Sequence, residues 1–97
     1  MLNDEVFINN EQVLATQLEE DLLKLYGPVV TGGDLVRALG YVSKEAFRQA
    51  VVRGTVPVTL FDIENRRGKY ALVKDIAEFL AERRFKTTAP NRVIEEE

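Results

Sequence analysis

Two short stretches of this chain carry residue types suited to holding a polyanion and reading what it displays. Lys44 and Arg48 stand four residues apart with Gln49 beside them, a spacing that makes them neighbours if the segment is helical. In the major groove of duplex DNA, Arg pairs with guanine and Gln with adenine. Ser43, just before them, is a residue type that caps a helix, and the amides of a helix N-terminus can hold a phosphate. Some twenty residues on, Arg66-Arg67-Gly68-Lys69 concentrates positive potential at what reads as a turn, where it can grip backbone or reach a minor groove. The competing reading of each group is an ordinary solvated surface, since charged side chains usually face water.

Other chemistry has less to work with. The chain has no cysteine and no histidine, which removes disulfides, thiolate metal sites, thiol nucleophiles and the commonest general base. Asp62, Glu64, Asp75 and Glu78 can in principle form an acid/base or Mg²⁺ pair, but nothing fixes their spacing. Gly32-Gly33 lacks the Lys and the spacing of a phosphate loop and reads as a turn leading into a helix. No catalytic role, cofactor or metal is expected. Phe47, Phe61 and Phe79 fall on apolar faces and read as core, while Tyr70 stays open between core and base stacking.

The net charge of -3 conceals a division along the chain. Residues 1 to 30 hold six acids and one base, for -5; residues 31 to 86 hold eleven bases and seven acids, for +4; residues 87 to 97 hold one base and three acids, for -2. A basic middle therefore lies between two acidic segments, and the candidate contacts all fall in the middle.

The elements that must position these residues follow from pattern. At 97 residues, 45% apolar, the chain suits one small domain. Residues 1 to 10 read as a flexible arm. Residues 11 to 28 contain an amphipathic helix with Leu14, Leu18, Leu22 and Leu25 at helical spacing, stopped by Gly27-Pro28. That stripe either packs on its own domain or pairs with a second copy. Thr31-Gly32-Gly33-Asp34 has the form of a capping box before a short helix ending at Gly40. Ser43 caps a second helix over residues 44 to 53, closed by Gly54, and two helices joined by a tight turn make a helix-turn-helix. Residues 56 to 63 and 69 to 73 are β-branched or aromatic around a polar link, which predicts a hairpin with a basic tip, Pro57 being confined to a strand start or edge. A last helix is expected over residues 74 to 84, with Ile76, Ala77, Phe79 and Leu80 on one face. Residues 87 to 97 read as a flexible acidic tail. No apolar run is long enough for a membrane span, and the acidic start is unlike a signal peptide, so a cytoplasmic location is expected.

On these residues the sequence resembles a known group. The run Leu35-Val36-Arg37-Ala38-Leu39-Gly40-Tyr41-Val42-Ser43-Lys44-Glu45-Ala46-Phe47-Arg48-Gln49-Ala50-Val51-Val52-Arg53-Gly54-Thr55-Val56-Pro57, and the closing Lys74-Asp75-Ile76-Ala77-Glu78-Phe79-Leu80, resemble AlpA-like and excisionase-like regulators of the wider MerR-like group. Val56-Pro57-Val58 and Arg83-Arg84 are also similar to pyocin-activator-type phage regulators. The resemblance covers about residues 29 to 84. It implies a winged helix-turn-helix over residues 29 to 86 with a β-hairpin wing; with the extra N-terminal helix read from pattern, the expected class is α+β and mostly helical. It further implies sequence-specific binding of double-stranded DNA by a transcriptional regulator of phage or mobile-element type. The matching contacts are Ser43, Lys44, Arg48, Gln49 and Arg53 on the recognition helix, and Arg66, Arg67 and Lys69 on the wing. A homodimer through the leucine stripe would suit a regulator that reads two half-sites. The chain departs from the group in its acidic balance and in the thirty N-terminal residues outside the match. These leave open a second reading, a winged-helix protein-interaction module that binds a protein partner through the apolar N-terminal helix and the acidic segments.

Overall fold

The computed structural model describes residues 10–87 of the chain. In chain order these form helix α1 (Asn10–Tyr26), strand β1 (Val29–Thr31), helix α2 (Gly32–Ala38), helix α3 (Lys44–Arg53), strand β2 (Tyr70–Leu72) and helix α4 (Val73–Thr87). The class is α+β, with four helices and a two-stranded antiparallel sheet among the described residues. No helix among them is long and apolar enough to cross a membrane. Most of the expected arm and acidic tail lies outside the described residues; Asn10 and Thr87, assigned to them by pattern, extend α1 and α4.

The core is assembled from β1, α2, β2 and α4, with Phe47 of α3 packed against it. Val30, Leu35, Leu39, Ala71, Val73 and Ile76 form its buried centre, with Leu35, Val73 and Ile76 fully enclosed. Val30 and Ala71 are cross-strand partners, so the two strands press one apolar pair into this centre. Helix α1 has no fully buried residue. It packs mainly along α4, with Leu14, Leu18 and Leu22 half-buried and Leu22 and Tyr26 against the core. Leu25 is 71% exposed. The stripe 14, 18, 22 advances by four residues, and its continuation at that step is Tyr26 rather than Leu25.

The link between α2 and α3 follows from sequence chemistry. Tyr41 N–H donates to Val36 O (3.1 Å) and Gly40 N–H to Arg37 O (3.0 Å), the paired bonds of a Schellman ending. They require a left-handed residue, and Gly40 supplies it at φ +87. Helix α3 starts where expected: Ala46 N–H donates to Ser43 Oγ at 3.0 Å. It ends on Gly54 with the same pair of bonds, Thr55 N–H to Ala50 O (2.9 Å) and Gly54 N–H to Val51 O (3.1 Å). Tyr41 meets Phe47 edge to face, centroids 5.5 Å apart, and both pack on the core, so the turn is fastened to α3 at its first turn.

Two expectations are corrected. Thr31 occupies the cap position of α2, but its hydroxyl makes no cap bond. It donates instead to Lys69 O at 2.6 Å, because strand pairing of Thr31 with Tyr70 brings that carbonyl alongside; Asp34, the other half of the expected box, pairs with Arg37. The hairpin over residues 56 to 63 and 69 to 73 does not form as such. Its second arm, shortened to Tyr70–Leu72, pairs with β1, while the first arm makes an isolated backbone bridge at Phe61, which exchanges two bonds of 2.9 Å with Tyr70. Pro57 has no amide to give a ladder, and the chain bends at Pro57 and Val58, with Val56, Val58 and Leu60 packed against the core. Phe61 and Tyr70 then face each other at 6.2 Å.

Candidate nucleic-acid interface

The eight candidate contacts are all exposed. The fold brings four of them together: Lys44 and Arg48 from α3, with Arg67 and Lys69 from the loop before β2, line one cleft of about 460 Å³. Its floor is apolar, with Val36, Phe47 and Val51 among the lining side chains. Two features hold the loop there. The Thr31 hydroxyl ties Lys69 to the start of α2, and at the far end Arg66 N–H donates to Ile63 O (3.0 Å) across a tight turn. Asn65 takes that turn at φ 66, a conformation Asn tolerates better than most residues.

Gln49 and Arg53 do not line this cleft. With Glu45, Arg48 and Val52 they border a shallower depression on the outward side of α3, so Arg48 stands at the boundary of both. Arg66 lines neither. Ser43 uses its oxygen as an acceptor for the Ala46 amide, which leaves its hydroxyl proton to donate to an incoming oxygen.

The charges are partly answered. Arg48 Nη1 donates to Glu45 Oε1 at 2.7 Å, and Lys69 Nζ to Asp62 Oδ1 at 3.1 Å. Lys44, Arg53, Arg66 and Arg67 have no ion-pair partner among the described residues. Of the four cations around the cleft, two are therefore unopposed, and the other two are held by exposed pairs worth about 0 to 1 kcal/mol each. Such pairs orient a side chain without preventing its capture by a stronger anion. A ten-residue helix with one exposed face, about 15 Å long and 10 to 12 Å across with its side chains, also matches a B-DNA major groove roughly 12 Å wide.

Sequence reasoning missed two residues that shape this site. Thr31 was legible as a cap, but nothing local pointed to Lys69, thirty-eight residues away. Glu45 had a signal in its spacing of three from Arg48, which makes helix neighbours of opposite charge.

The fold and site together define a small α+β domain with a basic cleft between one helix and the loop before β2. No family model matches the chain, and neither does any curated protein or solved structure.

Proposed function

We propose that this chain is a sequence-specific duplex DNA-binding transcriptional regulator, built as a winged helix-turn-helix, of the kind carried by phages and mobile elements. Helix α3 enters the major groove, Arg48 and Gln49 address base edges, and the loop of residues 62 to 69 acts as the wing on flanking backbone. Lys44 and the capped N-terminus of α3 hold phosphate at the groove edge. Helix α1 buttresses the domain through α4. The observation that carries this reading is the convergence of Lys44, Arg48, Arg67 and Lys69 on one cleft, from two segments separated by some twenty residues of chain. The resemblance of residues 29 to 84 implies the same reading.

Binding to a random duplex, and to the region upstream of the protein's own gene, tests the proposal by fluorescence anisotropy. With four phosphates neutralised, affinity should fall roughly 100-fold between about 50 and 200 mM salt. Arg48→Ala should remove preference among duplexes, and the Arg66→Ala, Arg67→Ala double variant should weaken all duplexes alike and flatten the salt slope. Salt-insensitive binding, or none at low salt, overturns the proposal in favour of a protein-interaction module. Leu25, exposed at the end of α1, leaves room for pairing of two copies, and a single-chain mass on sedimentation at high concentration excludes that dimer.

A further inference from the structure

The outward stripe of α3 carries one side chain that neither the core nor the charge pattern explains. Val52 is 82% exposed, so it buries almost nothing within the domain, and a β-branched residue in a helix costs a few tenths of a kcal/mol relative to Ala. It stands four residues beyond Arg48 and three beyond Gln49, which places the three on one face, and all three border the same depression with Glu45 and Arg53. Directly beside it lies the cleft with its two unopposed cations, so the surface that presents Val52 suits a polyanion.

From this we infer that Val52 reads the 5-methyl group of a thymine, supplying an apolar element of base recognition beside the polar ones of Arg48 and Gln49. The inference rests on the proposed function. In the major groove the thymine methyl is the one apolar feature that distinguishes a base pair, and small apolar side chains recognise it by contact. The helix rise places Val52 about 6 Å along the axis from Arg48, or roughly two base steps of 3.4 Å. The recognised thymine therefore lies within about two base pairs of the base that Arg48 contacts.

The test selects duplexes from a random pool with the full chain, then replaces each thymine of the selected site by uracil, which deletes the methyl and keeps the pairing. One position near the Arg48 contact should lose about fourfold in affinity, the value of one buried methyl or methylene group. In Val52→Ala that loss should vanish, while binding to random duplex and the thermal midpoint stay unchanged, since the substitution is exposed and favours the helix. Affinity indifferent to uracil at every thymine, or a uracil effect that persists in Val52→Ala, overturns the inference and leaves DNA binding standing. A Val52→Ala variant that keeps the uracil effect and sediments as a smaller species assigns this face to a second copy instead. Failure of any duplex to be enriched removes both the inference and the function beneath it.

Discussion

Two grooves of similar size divide the charge of this molecule between them. The α3 cleft, about 460 Å³, is bordered by Lys44, Arg48, Arg67 and Lys69. The groove between α1 and α4, about 540 Å³, is bordered by Glu11, Glu19, Glu78 and Glu82, with Lys74 as its one base. They share no residue. The acidic groove draws Glu78 and Glu82 from the same middle segment that is basic in total, so blocks of charge along the sequence do not map directly onto faces in space. What separates the faces is where each cation finds its acid. On α4, Lys74 pairs with Glu78 and Lys86 with Glu82, each four residues apart on one helix. Around the cleft, two of the four cations have no acidic partner among the described residues. Under the proposed function, a polyanion would meet attractive potential at one groove and repulsive potential at the other, an orientation that the net charge of -3 would not predict.

The contrast presumes that both grooves stand on one cooperative core, and the largest expected effect tests that. Ile76 is fully buried between α4 and the sheet. Ile76→Ala should cost about 2 to 5 kcal/mol, a shift of roughly 10 to 30 °C in the thermal midpoint of a domain this small. Helical signal and DNA affinity should be lost together in one transition. Loss in two steps would make the grooves independent units. Next in size is a direct inversion. Lys44→Glu with Arg67→Glu removes two charged contacts at about 1.5 kcal/mol each, or roughly 100-fold in DNA affinity. Glu11→Gln with Glu19→Gln, in the other groove, should leave affinity unchanged or raise it by no more than about threefold. Equal losses from the two double variants would erase the distinction.

Much of this arrangement was legible in the sequence because its determinants are local. Gly40 ends α2, and Ser43 and Gly54 set the limits of α3, through bonds spanning three to five residues, and the spacing of Lys44, Arg48 and Gln49 follows from helical period alone. The partners of β2 were not legible. The run from residue 56 to 63 has strand composition, yet whether it or Val29–Thr31 would pair with Tyr70–Leu72 depended on a competition across the fold. Pro57 was the one local hint that the first arm would lose it. Thr31 is the same case: a capping bond was expected from the three residues that follow and does not form, and the acceptor its hydroxyl does find, Lys69 O, exists only once β1 and β2 have met. The leucine stripe of α1 failed at a single point, Leu25, where a spacing of three in place of four turned the side chain toward solvent.

The smallest expected effect sharpens the acidic groove itself. Lys74 has its pKa raised above the ordinary 10.5, first by its hydrogen bond to Glu78 and then by the charge of that carboxylate, with Asp75 and Glu19 adding to it. A lysine whose folded pKa exceeds its unfolded one contributes stability fully below the unfolded value and loses it as pH rises through the folded value. The ammonium is exposed, so salt screens the contribution. Wild type should therefore unfold at a slightly higher temperature than Glu78→Gln at about pH 9, and the gap should close as pH rises through the raised pKa of Lys74. It should also close in about 1 M salt at the lower pH, where the screening length falls to roughly 3 Å. A gap that persists at both extremes would mean that Glu78 acts through packing against α1, and that the groove's acidity is incidental to how the two helices are held together.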